Sequence, residues 1–368
     1  MAEFEDQWGD EISDDVLILA ATEIDREKIK INENHEGGVL TISCSSLLEK
    51  RSSKGQNPLE RIRGGYLWVS DLISQSWCEH QMIYKLTGVA FLVPQIIPPI
   101  EESKIVTAGS NLHLARELEV HDVVKIKTTS DEDIFAVKVL NLLTSIDQLL
   151  QGAKVCREVP IFGAPFGKDV FFMGIIDELR CDPETMEIEL LEFKTRNDCR
   201  MPSKSQKHSH HLQVLLYKEL FNDIVKGNLM KEVIAQNFRL DLEKEFGEEI
   251  MKLATKHIIG NKECGNLDLL LESLFTKSQC LTCINSVLIE YCHQANQTTI
   301  GFDQVENDEQ WIKKQYDYYM DFWLGRREPS GVDIEEAWKC QRCDFSEICD
   351  WREQKAKLCG KNNQINDK

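Results

Sequence analysis

The stretch that decides the fold is DVFFMGIIDELRCDPETMEIELLEFKT, Asp169 to Thr195. Two runs rich in β-branched and aromatic residues flank a polar turn, which predicts a hairpin of strands at Val170–Leu179 and Met186–Thr195. Period-two alternation puts Phe171, Met173, Ile175 and Asp177 on one face of the first strand. In the second, Ile188, Leu190, Glu192 and Lys194 share a face while Leu191 and Phe193 fill the other, the pattern of a strand buried on both sides. Two carboxylates and an ammonium thus stand where apolar residues belong, and charges in such a place need partners. A hard cation such as Mg²⁺ or Mn²⁺ takes carboxylate oxygens, acidifies a bound water and offsets phosphate charge, while a nearby lysine positions that water. Asp177 followed by Glu192-x-Lys194 therefore fits metal-dependent phosphodiester cleavage. An exposed hairpin end with an ordinary Glu/Lys pair fits the segment alone equally well.

Working outward, Lys194 to His211 carries Lys194, Arg196, Arg200, Lys204 and Lys207 against Asp198 alone. By charge this basic patch is either a phosphate contact, through groups such as Arg196 and Lys204, or a solvated loop. HHLQVLLYKELFNDIVKGN then predicts an amphipathic helix ended by Gly227, with Gln213 and Tyr217 one turn apart. On the upstream side, a helix predicted from Ser110 places His113, Glu117 and His121 at i, i+4 and i+8 on one face. They could reach a metal, although the spacing alone favours an exposed polar stripe, because no third ligand is evident. FAVKVLNLLTSIDQLLQG reads as a helix, REVPIFG as a strand, residues 228–280 as helical, and SVLIEYCHQ with TTIGFDQV as a strand pair. NDEQWIKKQYDYYMDFWLGRREP is an aromatic helix ending before Pro329. YLWVSDLISQSWCEHQMIYKLTG is expected to be a helix capped at Ser70-Asp71, with Cys78 inside it.

With 368 residues and 42% hydrophobic content, the chain can bury a sizeable core. No apolar run approaches the ~18 residues of a membrane span, and the acidic start MAEFEDQWGDEISDD fits neither a secretory signal nor an Arg-rich presequence. The expected location is nucleus and cytosol, with no membrane partner. The net charge of −19 weighs against nucleic acid, but residues 1–36 hold 12 acidic and 3 basic residues, net −9. Nearly half the excess therefore sits in one segment. The expected organisation is an acidic, largely disordered tail over 1–60, one domain over 61–355, and a disordered C-terminal tail over 356–368. Thirteen cysteines, an odd number without a signal peptide, argue against a disulfide framework. Cys340-x2-Cys343-x5-Cys349 has the spacing of a metal or iron–sulfur centre that needs a fourth ligand. Cys280-x2-Cys283 would make it structural zinc, which spacing favours, whereas Cys78 would make it a clasp between the two ends of the domain. Loss of such a centre is expected to loosen the whole domain.

Together these residues carry a resemblance. GIIDEL followed by ELLEFKT resembles the Asp…Glu-x-Lys core of the PD-(D/E)xK nucleases. The branch is the RecB-like one, in which a Gly-x-x-x-His helix precedes the core and a Gln-x-x-x-Tyr helix follows it. Here these are Gly109–His113 and Gln213–Tyr217. The family's proline before the aspartate is absent, since Ile176 precedes Asp177. WVSDL, WCEHQ, SNLHLARELEVHD and GRREPSGVDIEEAWKCQRCDFSEICDW are similar to the eukaryotic exonuclease V family, over roughly residues 65 to 352. The resemblance implies an α/β fold with a PD-(D/E)xK core, a central mixed β-sheet flanked by helices, and N- and C-terminal segments joined by a 4Fe-4S cluster. It implies His113, Asp177 and Glu192 as Mg²⁺ ligands and Lys194 as the catalytic lysine. Gln213 and Tyr217 fall near the substrate backbone, and Glu117 is a secondary candidate. It assigns the cluster to Cys78, Cys340, Cys343 and Cys349, against the spacing preference for zinc, and leaves Cys280 and Cys283 incidental. The implied activity is that of a monomeric single-stranded DNA exonuclease in repair, loading at ends and releasing short oligonucleotides. Action from both ends with a 5′ preference is expected, with replication protein A as partner, although the residues themselves do not reveal polarity. No Walker A motif occurs, so no helicase motor is expected. The rival reading is a non-catalytic DNA-end binding module with a structural metal or iron–sulfur centre.

Overall fold

The computed structural model describes residues 57–88, 128–168, 170–258 and 263–365. The helix expected to carry His113 and Glu117, and the acidic tail up to residue 56, lie outside the described residues. Those described divide into two compact units. The first comprises Gly65–Val69 and residues 128–313, and the second comprises residues 57–64, 70–88 and 314–365.

The first unit is built on a mixed sheet. Its strands are β1 (Tyr66–Trp68), β2 (Val155–Gly163), β3 (Phe171–Cys181), β4 (Ile188–Arg196), β5 (Ile284–His293) and β6 (Thr299–Gln304). The predicted hairpin is β3 and β4, antiparallel from Glu178↔Leu191 to Cys181↔Ile188. β5 runs parallel to β4, and β6 returns antiparallel to β5. Strand β2 pairs along β3 from Phe172 to Arg180, and β1 runs parallel to β3 at Phe171, Phe172 and Met173. A strand has only two edges for hydrogen bonding. Since β2 holds one, β1 and β4 must share the other, and residues 174–177 between them are left as a notch with no strand partner on that edge among the described residues.

Helices flank the sheet. Helix α3 (Asp131–Leu150; α1 and α2 belong to the second unit) starts where the Ser130 hydroxyl accepts the Asp133 N–H at 3.2 Å. It packs its buried stripe of Phe135, Val139, Leu142, Leu143, Ile146 and Leu149 toward β2. Full burial of each such side chain contributes roughly 1.5–3 kcal/mol. Helix α4 (Lys204–Val225) packs on β2 to β5. It begins two turns before the predicted His210 start, because Ser203 and Gln206 form a capping box. Helices α5 (Lys231–Phe238), α6 (Glu248–Thr255) and α7 (Leu267–Ser278) fill the expected helical region. Phe238 closes an aromatic cluster with Tyr66, Phe135 and Phe171 at centroid distances of 4.9, 5.0 and 5.0 Å.

In the second unit, α1 (Val69–Trp77) and α2 (Glu79–Leu86) replace the single expected helix. Cys78 lies between them with extended backbone, φ −170° and ψ 117°, so it is not inside a helix as expected. Helix α8 (Glu309–Trp323) buries Tyr316, Tyr319, Met320, Phe322 and Trp323. A 3₁₀ segment, Ile334–Arg342, leads to helix α9 (Asp350–Ile365). No helix of the described residues is long and apolar enough to cross a membrane.

Candidate active site and cysteine nest

The notch positions the charged residues of the hairpin. The β3–β4 ladder ends at Glu178↔Leu191. One residue beyond, the side chain of Asp177 takes over from the backbone: its Oδ2 accepts the Phe193 N–H at 2.7 Å. That bond ties Asp177 to the backbone of Phe193, the residue between Glu192 and Lys194. Glu192 is buried, at 1% exposure, and its Oε1 pairs with Lys194 Nζ at 2.8 Å. The expected apolar face opens earlier than the alternation suggests, since Ile175 is 42% exposed. Asp177 is therefore half-buried at an open position rather than sealed behind Ile175.

Helix α4 supplies the neighbouring wall. Gln213 Nε2 donates to Tyr217 Oη at 3.2 Å. The Tyr217 ring lies over Gly174, where an added Cβ would come within 2.5 Å of Cε1 and 3.2 Å of Val69 Cγ2. Only glycine leaves room for that ring. Tyr217 thus packs on the first residue of the notch that Asp177 closes at its other end, with Gln213 hydrogen-bonded behind it. Arg196, at the end of β4, is half-buried and donates through Nε to Arg200 O at 3.1 Å. Lys204 stands exposed at the first turn of α4. The rest of the basic patch is answered internally, with Arg200 on Asp198 at 2.6 Å and Lys207 on Asp303 at 3.0 Å.

Three further residues border this site without a motif to announce them. Tyr291 pairs in register with Lys194 across β4 and β5, and its Oη lies 3.0 Å from His210 Nδ1. Burial, then the charges of Lys194 and Arg196, hold the His210 imidazole down to about 3. Burial raises Tyr291, with the charge of Asp303 adding to it. Burial also works against ionisation of Asp303, but hydrogen bonds from His211 and Lys207 outweigh it and keep the carboxyl below its ordinary range. The only cue in the sequence is that His210 stands three residues before Gln213, on the same side of the helix.

The second unit gathers Cys78, Cys340, Cys343 and Cys349 around one hollow, which Trp77, Tyr84 and Trp351 also line. Cys78 feels the charge of the other three thiols, Cys343 that of Cys349 and Cys340, and Cys349 that of Cys340. Burial pushes Cys78 up to about 12 and Cys343 up to about 11, and it raises Cys349 as well. Such thiols stay protonated until a metal displaces the proton. Among the described residues, the one set of three or more ligand atoms within 4.8 Å of one another is His80, Cys349 and Asp350. Four thiols around one hollow are a soft donor set that suits a thiolate-bound metal or an iron–sulfur centre. Cys280 and Cys283 belong to the first unit, Cys280 exposed with its sulfur on Thr276 O at 3.7 Å. For the hairpin, two carboxylates beside a lysine form a hard oxygen donor set that suits Mg²⁺ or Mn²⁺.

The sequence matches known proteins over most of its length. The family model described as "Exonuclease V - a 5' deoxyribonuclease" matches residues 57–189, 180–265 and 262–352. Exonuclease V of Danio rerio is 38% identical over 311 residues, covering 83% of this chain and 76% of the relative. The crystal structure of SSO0001 covers 84% of this chain and 94% of its own, at 14% identity and a TM-score of 0.37, too low to carry an argument. The family match takes in the hairpin, the Gln213–Tyr217 helix and all four cysteines of the nest, and the chain belongs to the exonuclease V family.

Proposed function

We propose that the protein is a metal-dependent DNA exonuclease of the PD-(D/E)xK type that digests single strands from their ends, with a 5′ preference, in DNA repair. The observation that carries this reading is the Phe193 N–H to Asp177 bond at 2.7 Å, which draws Asp177 to Glu192 and Lys194 in a member of a 5′ deoxyribonuclease family. Asp177 and Glu192 would hold Mg²⁺ or Mn²⁺, with His113 as a further ligand and Glu117 a secondary one. When bound, the cation supplies Lewis acidity toward the phosphate and a water of lowered pKa. Lys194, kept in place by Glu192, orients the attacking water and offsets charge as the new P–O bond forms and the old one breaks, the leaving oxygen taking a proton. Gln213 and Tyr217 steady the strand beside the notch, and Arg196 and Lys204 take phosphates further along.

The four cysteines, in the same reading, bind a 4Fe-4S cluster, supported by the single hollow they share and by the family match that takes in all four. Replication protein A as a partner, action as a monomer, and a nuclear and cytosolic location complete the proposal. The test is digestion of single strands with either end blocked, by wild type, Asp177→Asn and Lys194→Ala, with iron and zinc analysis of each anaerobic preparation. Both variants should lose about 10²-fold or more in rate while keeping their iron. Undiminished cleavage removes these residues from the mechanism, equal digestion of a 5′-blocked strand removes the 5′ preference, and zinc without iron removes the cluster.

A further inference from the structure

The metal-ligand reading of the cysteines leaves open what brings Cys78 to three cysteines more than 250 residues away. Each side of the nest carries a buried acid immediately after a cysteine. Glu79 follows Cys78 and is 3% exposed. Its carboxylate accepts Gln75 Nε2 at 2.8 Å, Arg327 Nη1 at 2.7 Å and Arg327 Nη2, the Ser330 N–H at 2.6 Å and Ser330 Oγ at 3.2 Å. Arg327 is itself fixed, with Nε on Tyr318 O at 3.0 Å and its guanidinium 4.0 Å over the Tyr318 ring. Gln75 is fixed by Trp323 Nε1 at 2.8 Å and by its own bond to Tyr319 O at 3.2 Å.

The reverse connection uses Asp350, which follows Cys349. Its Oδ1 lies 3.0 Å from His80 Nδ1 and accepts Tyr84 Oη at 3.0 Å, and both partners lie on the helix that starts after Cys78. A third connection precedes the cysteines. Lys339 sits 4.2 Å over the Trp77 ring and donates to Trp77 O at 3.4 Å and to Glu336 at 2.6 Å. None of these bonds involves a thiol. Buried carboxylates held by bidentate arginine, backbone and hydroxyl donors are among the stronger polar contacts a fold can make.

We infer that Glu79, Arg327, Ser330, His80, Tyr84 and Asp350 assemble the four-thiol nest before any metal enters, and that they set how firmly it retains the metal. They are positioning residues: they touch the chain beside the ligands, not the ligands' metal. Loss of the centre therefore leaves the two segments together, in contrast to domains whose metal supplies the folding energy. This deepens the metal-ligand reading of the cysteines and rests on it.

Two measurements on the full chain test the inference. In the variant with Cys78, Cys340, Cys343 and Cys349 all changed to Ser, amide exchange over 79–86 and 334–342 should stay within about tenfold of wild type. Exchange at the rate of unprotected amides there overturns the inference. With the cysteines intact, Glu79→Gln and Asp350→Asn should release metal to a chelator about tenfold faster than wild type, as loss of supporting contacts does elsewhere. Equal release rates overturn it. Tyr84→Phe removes one hydroxyl and no charge. It should speed release by a smaller factor, and an unchanged rate counts against the inference even if the charge variants fail to fold. Metal analysis of the wild type separates the two readings: a nest with no metal sinks the ligand assignment, while the exchange result still decides who assembles the nest.

Discussion

An alanine at residue 174 would put its Cβ 2.5 Å from Tyr217 Cε1 and 3.2 Å from Val69 Cγ2. Neither neighbour can yield without moving the ring that reaches the notch. Gly174→Ala is therefore expected to cost about 1–3 kcal/mol, the range for overpacking, and to lower single-strand cleavage by more than that stability loss explains. Urea midpoints and initial rates measured side by side check both parts, and a variant with wild-type values in both would contradict the contact. His210 makes a different demand. In the fold its imidazole stays neutral down to about 3, because burial and the charges of Lys194 and Arg196 oppose a proton, while in the unfolded chain it titrates near the ordinary ~6.5. The unfolded chain thus binds more protons in that window, so stability present above pH ~6.5 is lost as pH falls toward 3. Glu132 acts lower on the scale. Burial opposes its ionisation, but Lys244 and the Asp241 N–H prevail and hold it at about 2, so its stabilisation fades between about 4.5 and 2. His210→Asn should flatten the acid limb above about pH 4.5 and make it shallower, with the Glu132 contribution remaining, from there to pH 3, as urea titrations at pH 7, 5.5, 4.5 and 3 would record. Asp177, Glu192 and Lys194 are legible in the sequence because they interrupt an apolar pattern. Gly174 and His210 are not, because their partners are set by helix α4 and by a strand 81 residues farther on.

At the scale of elements, what is local is legible. The hairpin, the strand pair β5–β6 and helices α3, α4 and α8 follow from hydrophobic period within a dozen residues. Strand β1 is not legible, being three residues long and paired with residues a hundred positions away. Yet it is the shared edge of β3, with β1 at one end and β4 at the other, that makes the notch. The break at Cys78 escapes for another reason: apolar residues keep helical spacing on both sides of it, and one extended residue leaves no mark on the period. Spacing also points to zinc through Cys280 and Cys283, since it cannot see that Cys78 shares the hollow with the C-terminal three. The start of α4 was readable from Ser203 and Gln206, and it matters because the first turn carries Lys204 and Lys207. Ser203→Ala removes an acceptor for the Gln206 N–H and should cost about 1 kcal/mol, whereas Ser203→Asp should cost little. Thermal denaturation of the two variants decides this, and equal losses would mean that the cap contributes nothing.

The molecule as a whole is acidic, and its cations near the site are mostly committed. Lys194 is on Glu192, Lys207 on Asp303 and Arg200 on Asp198. A strand that binds there displaces internal carboxylates or reaches the few cations left, such as Lys204, so few counterions are released. The logarithm of affinity for single strands should accordingly fall gently with the logarithm of salt, with a slope of roughly −2 if about three phosphates are neutralised. The overall field opposes approach more than it opposes binding. Residues 1–36 contribute −9 of the formal −19, so a chain without them carries −10. Their repulsion acts over a Debye length and is strongest at low ionic strength. Deleting residues 1–36 should therefore speed association with a single strand several-fold near 0.02 M salt and by almost nothing near 0.5 M, with the dissociation rate unchanged. Stopped-flow association across that range distinguishes this from a contact role. A deletion that slows association, or that changes dissociation at every salt concentration, would mean that the segment touches the strand or its site.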